Sequence, residues 1–515
     1  MDVQRAQDVS EAIIDVSNSL MVIATVLFVY CIYTQLASRE TWDKYGVKQV
    51  TMGRHALTDF RKALSELILE HGDTVGVTRG VMTLITRDLH LIREILTKDF
   101  HNFVDRIELM TTRTPLQHGV FFIKGKDWKR IRKVISPSFS TGKLKHTIHD
   151  ISESAEKLGQ ILEGYARTSN LVPVKRLTGQ YTSEIIASSA FGIATDSLGT
   201  EDDDFSRYAQ EIFKTRSSFM NFVMLLMFRF KWLHNILVKK LHIEALDQVS
   251  EDAVKYFTSV LEPVVLEREE LERSGKDRPK DFLQILISAK LSDALNPGNE
   301  FVVSENELIG QCLLIVFASF ETTATTLQMC LYLLAKHPDI QEMVYSEMQS
   351  LIPSESPSYQ ELGQLKYMDQ VIKETLRLHP PVPIVSRKSV HTATYGNVTI
   401  PGGSNVLIPV DMVMMDPENY PDPYKFDPDR FSEENTATQD PMAFIPFGAG
   451  PRQCLGMRLA YLELKLGLFH VLRKVKLEVN DHTEPKLGCD IAVHFQGILV
   501  LEKPILLAAT LRNKD

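Results

Sequence analysis

No charged residue occurs between Val16 and Ser38, and the segment from Leu20 to Leu36 inside that window is densely apolar. At 1.5 Å per residue the uncharged window reaches roughly 34 Å as a helix, enough to cross a bilayer core. A second apolar run, Leu308 to Met329, contains a single charge, Glu321. Gln311, Ser319, Gln328 and four threonines dilute it too heavily for a membrane span, so it predicts a long central helix. Ser304 and Glu307 have the spacing of a capping box and His337-Pro338 supplies a stop, giving a helix of roughly 48 Å. After Cys454 the residues Leu459, Leu462, Leu464, Leu466, Leu468 and Phe469 alternate in part like a strand. The length of that run and its Leu, Met, Glu and Lys content favour a helix instead. Trp128 and Arg132, four positions apart, share one face of a further basic helix. Strand-like pieces are few, with Thr83 to Thr86 and Asn405 to Ile408 the clearest. The chain therefore reads as mainly α with small β-sheets.

The 515 residues are 44% hydrophobic, and a formal net charge of −9 argues against nucleic acid as the main partner. Five cysteines, Cys31, Cys312, Cys330, Cys454 and Cys489, form no C-x-x-C pair, which disfavours a disulfide framework or a zinc site. Asp2, Asp8, Glu11 and Asp15 make the region before the apolar window acidic, unlike a cleaved signal peptide. Arg39, Lys44, Lys48 and Arg54 follow the window, and the positive-inside bias puts the body in the cytosol. The expected organisation is a lumenal tail and single-pass anchor over 1–38 and a cytosolic catalytic domain over 39–515. The sequon at Asn397 then never meets the glycosylation machinery. The charged stretches Glu201 to Asp204 and Glu267 to Lys280 read as solvated loops or helix faces.

The chemistry concentrates in Phe447-Gly448-Ala449-Gly450-Pro451-Arg452-Gln453-Cys454-Leu455-Gly456, which has the form F-x-x-G-x-R-x-C-x-G. A chain of this length would show it by chance on the order of once in ten thousand. A free cysteine is usually a buried core residue, but that does not explain its neighbours. If Cys454 is a metal ligand, each has a task. Gly450 permits a turn that Pro451 stiffens, and the following helix N-terminus favours a thiolate over a thiol. Gly456 keeps the first turn thin enough for a flat macrocycle, Arg452 offers a fork of donors to a carboxylate, and Phe447 covers the sulfur.

This stretch resembles the haem-binding loop of the cytochrome P450 family, the haem-thiolate monooxygenases. The resemblance runs from about Tyr45 to Lys503 through ordered motifs, and it implies the cytochrome P450 fold with Cys454 as the iron ligand of haem b. It also implies that Arg452, Trp128, Arg132 and Arg387 meet the haem propionates. Ala318-Ser319-Phe320-Glu321-Thr322-Thr323 resembles the family's oxygen-activation motif, in which the acid and first threonine relay protons. Ser319 stands where the family usually has Gly, and a serine can open the helix by bonding back to a carbonyl. Glu374, Arg377 and Arg430 resemble a buried Glu-Arg-Arg set beneath the haem, with Asp429 replacing the commoner Glu before the last arginine. Val382 and Ile384 would line the substrate pocket, Phe219 to Trp232 would roof it beside the membrane, and the loop from Arg113 to Phe122 would close the other side. Tyr45-Gly46-Val47 resembles the family's lead-in, but Lys48 to Thr51 replaces the Pro-rich hinge, which implies a looser joint to the anchor. The run from Trp128 to Lys145 and Thr182 to Ile193 resemble the animal microsomal branch that oxidises drugs and steroids.

The expected function is insertion of one atom of dioxygen into a lipophilic substrate at the endoplasmic reticulum membrane. No nucleotide-binding glycine fingerprint follows a strand, so electrons would come from an NADPH–cytochrome reductase, with cytochrome b5 as a further donor. Lys129, Arg130 and Lys133 could serve such an acidic donor. Two rivals stay open. One is a haem-thiolate isomerase or dehydratase acting on peroxides, against which Glu321 and Thr322 argue. The other is a non-enzymatic haem carrier or gas sensor, which needs no proton relay.

Overall fold

The computed structural model describes residues 41–512, apart from 54–58, 79–80, 109–111, 196, 201–202, 213–246, 248, 278, 296–300, 486–490, 492, 496–497 and 502. The expected anchor at 16–38 and the Met- and Phe-rich stretch 219–232 lie outside the described residues. The rest is mainly helical with small sheets. Six helices place the site: α1 (Gly125–Ile135), α2 (Thr141–Thr168), α3 (Val174–Phe191), α4 (Glu305–Lys336), α5 (Lys366–Leu378) and α6 (Met457–Lys474).

α4 is the axis. Its capping box forms at Ser304, where the Glu307 N–H donates to Ser304 Oγ at 3.3 Å and the Ser304 N–H donates to Glu307 Oε2 at 2.9 Å. Every residue from Thr323 to Ala335 is buried. α4 is the one helix among the described residues long and apolar enough to cross a membrane, but 67% of its apolar window is inside the protein. It packs against α3 and α6, and α6 packs in turn along α2. Leu327 to Ala335 of α4 share one hydrophobic cluster with Leu462 to Leu472 of α6, which is why a stretch with partial alternation folds as a helix.

A five-stranded sheet flanks this bundle, formed by β1 (Lys48–Val50), β2 (Thr74–Thr78), β3 (Met82–Thr86), β4 (Ile384–Lys388) and β5 (Asn405–Pro409) in the order β1-β2-β3-β5-β4. The two clearest strand patterns in the sequence are neighbours in it, with Leu84 opposite Val406 and Ile85 opposite Leu407 in parallel. Lys48 to Val50 pairs in parallel with Val75 to Val77, and Trp42 is fully buried with its indole N–H donating to the Val77 carbonyl at 3.2 Å. The segment that stands where a Pro-rich hinge was expected is therefore a sheet edge held by backbone hydrogen bonds.

Candidate functional site

The cysteine loop is shaped by backbone geometry. Gly448 and Gly450 have φ of 68° and 71°, and a Cβ on Gly450 would lie 1.8 Å from the Leu96 carbonyl oxygen. A 3-10 turn over Gly450–Arg452 then delivers Cys454 just ahead of α6. The Cys454 N–H donates to the Phe447 carbonyl at 2.9 Å, and the Phe447 ring lies 5.5 Å from that of Tyr461. Cys454 is exposed, yet protein surrounds it closely enough for burial to push its thiol up. Both hold if the sulfur faces an internal hollow. Backbone N–H groups of Gly456 and Met457, with Arg132 and Arg106, pull the other way without prevailing. Burial thus opposes the pull of the helix end toward a thiolate.

Arginines gather near this sulfur, Arg132 and Arg106 acting on it directly and Arg452 and Arg387 lying beside Arg106. Arg452 is buried over the Trp128 ring at 4.2 Å and donates to the carbonyls of Val104 (2.9 Å), Val120 (3.2 Å) and Ile123 (3.1 Å). Its fork is thus largely engaged by backbone, and burial with its neighbour Arg106 lowers its pKa to about 9. Arg132 donates to the Gln453 carbonyl at 2.8 Å. Arg387, on β4, is 1% exposed and gives Nη1 to the Ser386 carbonyl, while its buried Nε has no partner. Burial, then Arg106 and Arg452, push its pKa down.

Arg106 is the residue that sequence reasoning missed. It stacks on Phe121 at 4.0 Å, donates to the Phe121 and Arg452 carbonyls at 3.3 Å, and has its pKa lowered to about 10, first by burial and then by Arg132. Nothing in its spacing ties it to a cysteine so far along the chain.

On α4 the positions Ile315, Ala318, Ser319 and Thr322 fall on one face. Ala318 is exposed and the other three are half-buried, within a helix otherwise almost wholly enclosed. This face therefore opens on a hollow too, and Leu455 packs into the same cluster as Ile315 and Phe317. The Thr322 hydroxyl donates to the Ala318 carbonyl at 2.7 Å. The Ser319 side chain forms no hydrogen bond among the described residues, so the bond back into the helix is made by Thr322. Glu321 turns to another side: burial raises its pKa, with Lys175 on α3 and the Thr325 hydroxyl at 3.5 Å opposing.

Glu374, Arg377 and Arg430 come together, with Arg377 Nε 2.7 Å and Arg430 Nε 3.5 Å from Glu374. Ile384, expected at the substrate pocket, is half-buried and packs, like Ile107 and Met412, against the cluster joining the sheet to the helix Phe60–His71. Val382 is half-buried. Of the basic residues offered to an electron donor, Arg130 is committed to Glu307 and the Val302 carbonyl, and Lys133 lies over Phe301 at 4.3 Å. Lys129 is exposed.

These residues fit an iron porphyrin with carboxylate arms. Arg132 and Arg106 act on the sulfur, Arg452 and Arg387 neighbour Arg106, and burial lowers the pKa of all four, with like charges adding to this in Arg106, Arg387 and Arg452. Arg387 keeps a buried donor unmatched, and Asp105, 3.7 Å from Arg452, supplies the opposing charge there. A Cβ on Gly456 would meet only Phe139, at 3.9 Å, so protein packing does not account for the glycine.

Comparison with known proteins agrees with this geometry. The family model described as Cytochrome P450 matches residues 52–508. Cytochrome P450 3A31 of Mesocricetus auratus is 32% identical over 447 residues, 86% of each chain. Lithocholate 6-beta-hydroxylase of the same species is 31% identical over 448 residues, again 86% of each chain. Probable cytochrome P450 6a14 of Drosophila melanogaster is 32% identical over 421 residues, 79% of this chain and 80% of its own length. With a sulfur and an arginine group suited to haem and matches spanning most of its length, this chain belongs to the cytochrome P450 family and is a haem-thiolate monooxygenase that carries haem b.

Proposed function

We propose that the protein is a reductase-fed monooxygenase of lipophilic compounds, held at the endoplasmic reticulum by residues 1–38 with residues 39–515 as its cytosolic catalytic domain. Haem b supplies the oxygen chemistry, placing one atom of dioxygen in the substrate and the other in water. Cys454 is the residue that binds the iron. Arg387, Arg132, Arg106 and Trp128, with Arg452 behind them, hold the propionates through charge and hydrogen bonding. Phe447, against Tyr461, shields the sulfur from water, and Gly450 and Gly456 let the loop and helix lie close to the macrocycle.

Proton supply falls to Glu321 and Thr322. Burial lets Glu321 keep its proton to higher pH than a free carboxyl, and Lys175 tempers that shift. Thr322 carries a hydroxyl on the open face of α4, where it can pass a proton into the hollow while its bond to Ala318 fixes its orientation. Glu374, Arg377 and Arg430 keep the core rigid beneath the cysteine loop. A lipophilic substrate is supported by the apolar character of Ala318 and Ile315 on the same face and by a relative named for hydroxylating lithocholate.

The observation that carries the reading is the pairing of Cys454 with Arg132 and Arg106, which lie in one group with Arg452 and with Arg387 and its unmatched buried donor. The test is to reduce the purified protein under carbon monoxide, then titrate it with lipophilic compounds while following NADPH use with an added reductase. A thiolate-type spectrum that Cys454→Ala abolishes, with substrate-linked NADPH consumption, is the expected result. Hydroperoxide turnover without reductase, or haem binding with no NADPH use, would replace this reading by an isomerase or a carrier.

A further inference from the structure

Gln311 lies in α4 and is 1% exposed, on the face that continues through Ile315, Ala318 and Thr322. Its amide is engaged almost entirely with one loop. Oε1 accepts the Val120 N–H at 2.8 Å, and Nε2 donates to the His118 carbonyl at 2.7 Å and to the Glu307 carbonyl at 3.2 Å. The loop docks so closely that a Cβ on Gly310 would sit 2.4 Å from the Pro115 carbonyl oxygen. The carbonyls of Val120, Phe121 and Ile123 in that same loop receive Arg452 and Arg106. Val120 is thus gripped at its N–H by the central helix and at its carbonyl by the arginine two residues before Cys454. Two hydrogen bonds connect α4 to the cysteine loop.

We propose that Gln311 is a positioning residue that fixes the loop from Leu116 to Ile123 above α4, and with it both the guanidinium groups facing the haem edge and the width of the substrate space beside Ala318 and Thr322. The inference rests on the reading of Cys454 and the arginines given above. The clamp needs an acceptor and a donor on one short side chain. An amide supplies both, and so does a protonated carboxyl, whereas a carboxylate supplies only acceptors and would face the His118 carbonyl without a proton. Burial makes any mismatch costly, because neither loop group has water to turn to.

Two variants of the full-length protein test this. Gln311→Met keeps length and volume without the hydrogen bonds. It is expected to speed hydrogen exchange at the Val120 amide by about tenfold or more, to raise haem loss to apomyoglobin several-fold, and to erase the difference in spectral affinity between phenylimidazole and a bulkier azole. The carbon monoxide spectrum is retained, and KM rises with kcat nearly unchanged. Gln311→Glu is expected to match the parent near pH 6 and the Met variant near pH 9, as the carboxyl loses its proton. Unchanged loop exchange and size preference in Gln311→Met would overturn the proposal, as would Gln311→Glu keeping the parent's loop exchange at high pH, where its side chain has no proton to donate, since packing alone would then explain the site. If Gln311→Met does not fold, the pH profile of Gln311→Glu decides. Absence of the thiolate spectrum from the parent protein would count against the functional reading, whereas the exchange measurement would still decide the clamp.

Discussion

Glu374 and Arg377, three residues apart on α5 with no exposed side-chain surface, are joined by two hydrogen bonds, Arg377 Nε to Oε2 at 2.7 Å and Nη2 to Oε1 at 2.8 Å. The Asp427 N–H adds a third contact to the carboxylate at 3.0 Å, and Arg377 also reaches the Met414 carbonyl at 3.1 Å. In the sequence this pair is a plain E-x-x-R, worth a few tenths of a kcal/mol on a surface helix. Buried and surrounded by backbone carbonyls, it ties α5 to the segment between Met414 and Asp427.

Arg377→Leu should therefore cost about 3–5 kcal/mol, because it strands a buried carboxyl and orphans several carbonyls. Arg377→Lys should recover little, since an ammonium cannot form the fork. Urea unfolding of the two variants checks this, and a loss under 1 kcal/mol in both would contradict it.

Gly450 and Gly456 should respond oppositely to alanine. At Gly450 the added Cβ meets the Leu96 carbonyl at 1.8 Å with φ at 71°, so Gly450→Ala should disrupt the loop even before haem binds. At Gly456 the protein offers only Phe139 at 3.9 Å, so the Gly456→Ala apoprotein should keep its stability within about 1 kcal/mol while its haem content falls. Thermal unfolding of the haem-free forms and the haem-to-protein absorbance ratio separate the two. Equal behaviour would contradict the account.

Glu463 on α6 is 1% exposed, its Oε2 has no partner, and burial raises its carboxyl from 4.5 to about 8. The folded protein therefore holds this proton over a range in which the unfolded chain has released it. Stability contributed by this residue is full below the ordinary carboxyl range, falls as pH rises from there, and levels off only above about 8. At pH 7 the accumulated penalty is roughly 3 kcal/mol. Glu463→Gln should remove that slope between pH 5 and 8 in denaturant titrations, and an unchanged slope would show the proton is not held there.

Arg387 is the buried arginine with an unmatched Nε and two like-charged neighbours. A buried cation without an opposing charge carries a desolvation cost that no partner repays, and an apolar side chain of similar volume relieves it. Arg387→Met should thus leave the haem-free protein as stable as before, or more so, while haem dissociates about tenfold faster or more. Unaltered haem retention would remove Arg387 from the propionate set.

Local chemistry fixed several elements in advance. The Ser304 and Glu307 cap, the His337-Pro338 stop and the apolar run between them specify α4, because capping and hydrophobic periodicity act over a few residues. The motif around Cys454 likewise dictates its own turn through Gly450 and Pro451. What could not be read was which distant groups meet. Arg106 joins the arginine group only because the segment before Leu116 folds across the cysteine loop. Arg130 is engaged by Glu307, and Ile384 packs against the cluster between the sheet and the helix Phe60–His71. The sequence by itself determined the helices, the thiolate motif and hence the reaction class, since each depends on neighbours along the chain. Tertiary structure alone decided the charge environment of the sulfur, the grip of Gln311 on Val120 and the burial that turns Glu374 and Arg377 into a core lock. Burial and long-range pairing set the strength of a charge or hydrogen bond, and neither is a property of residue order.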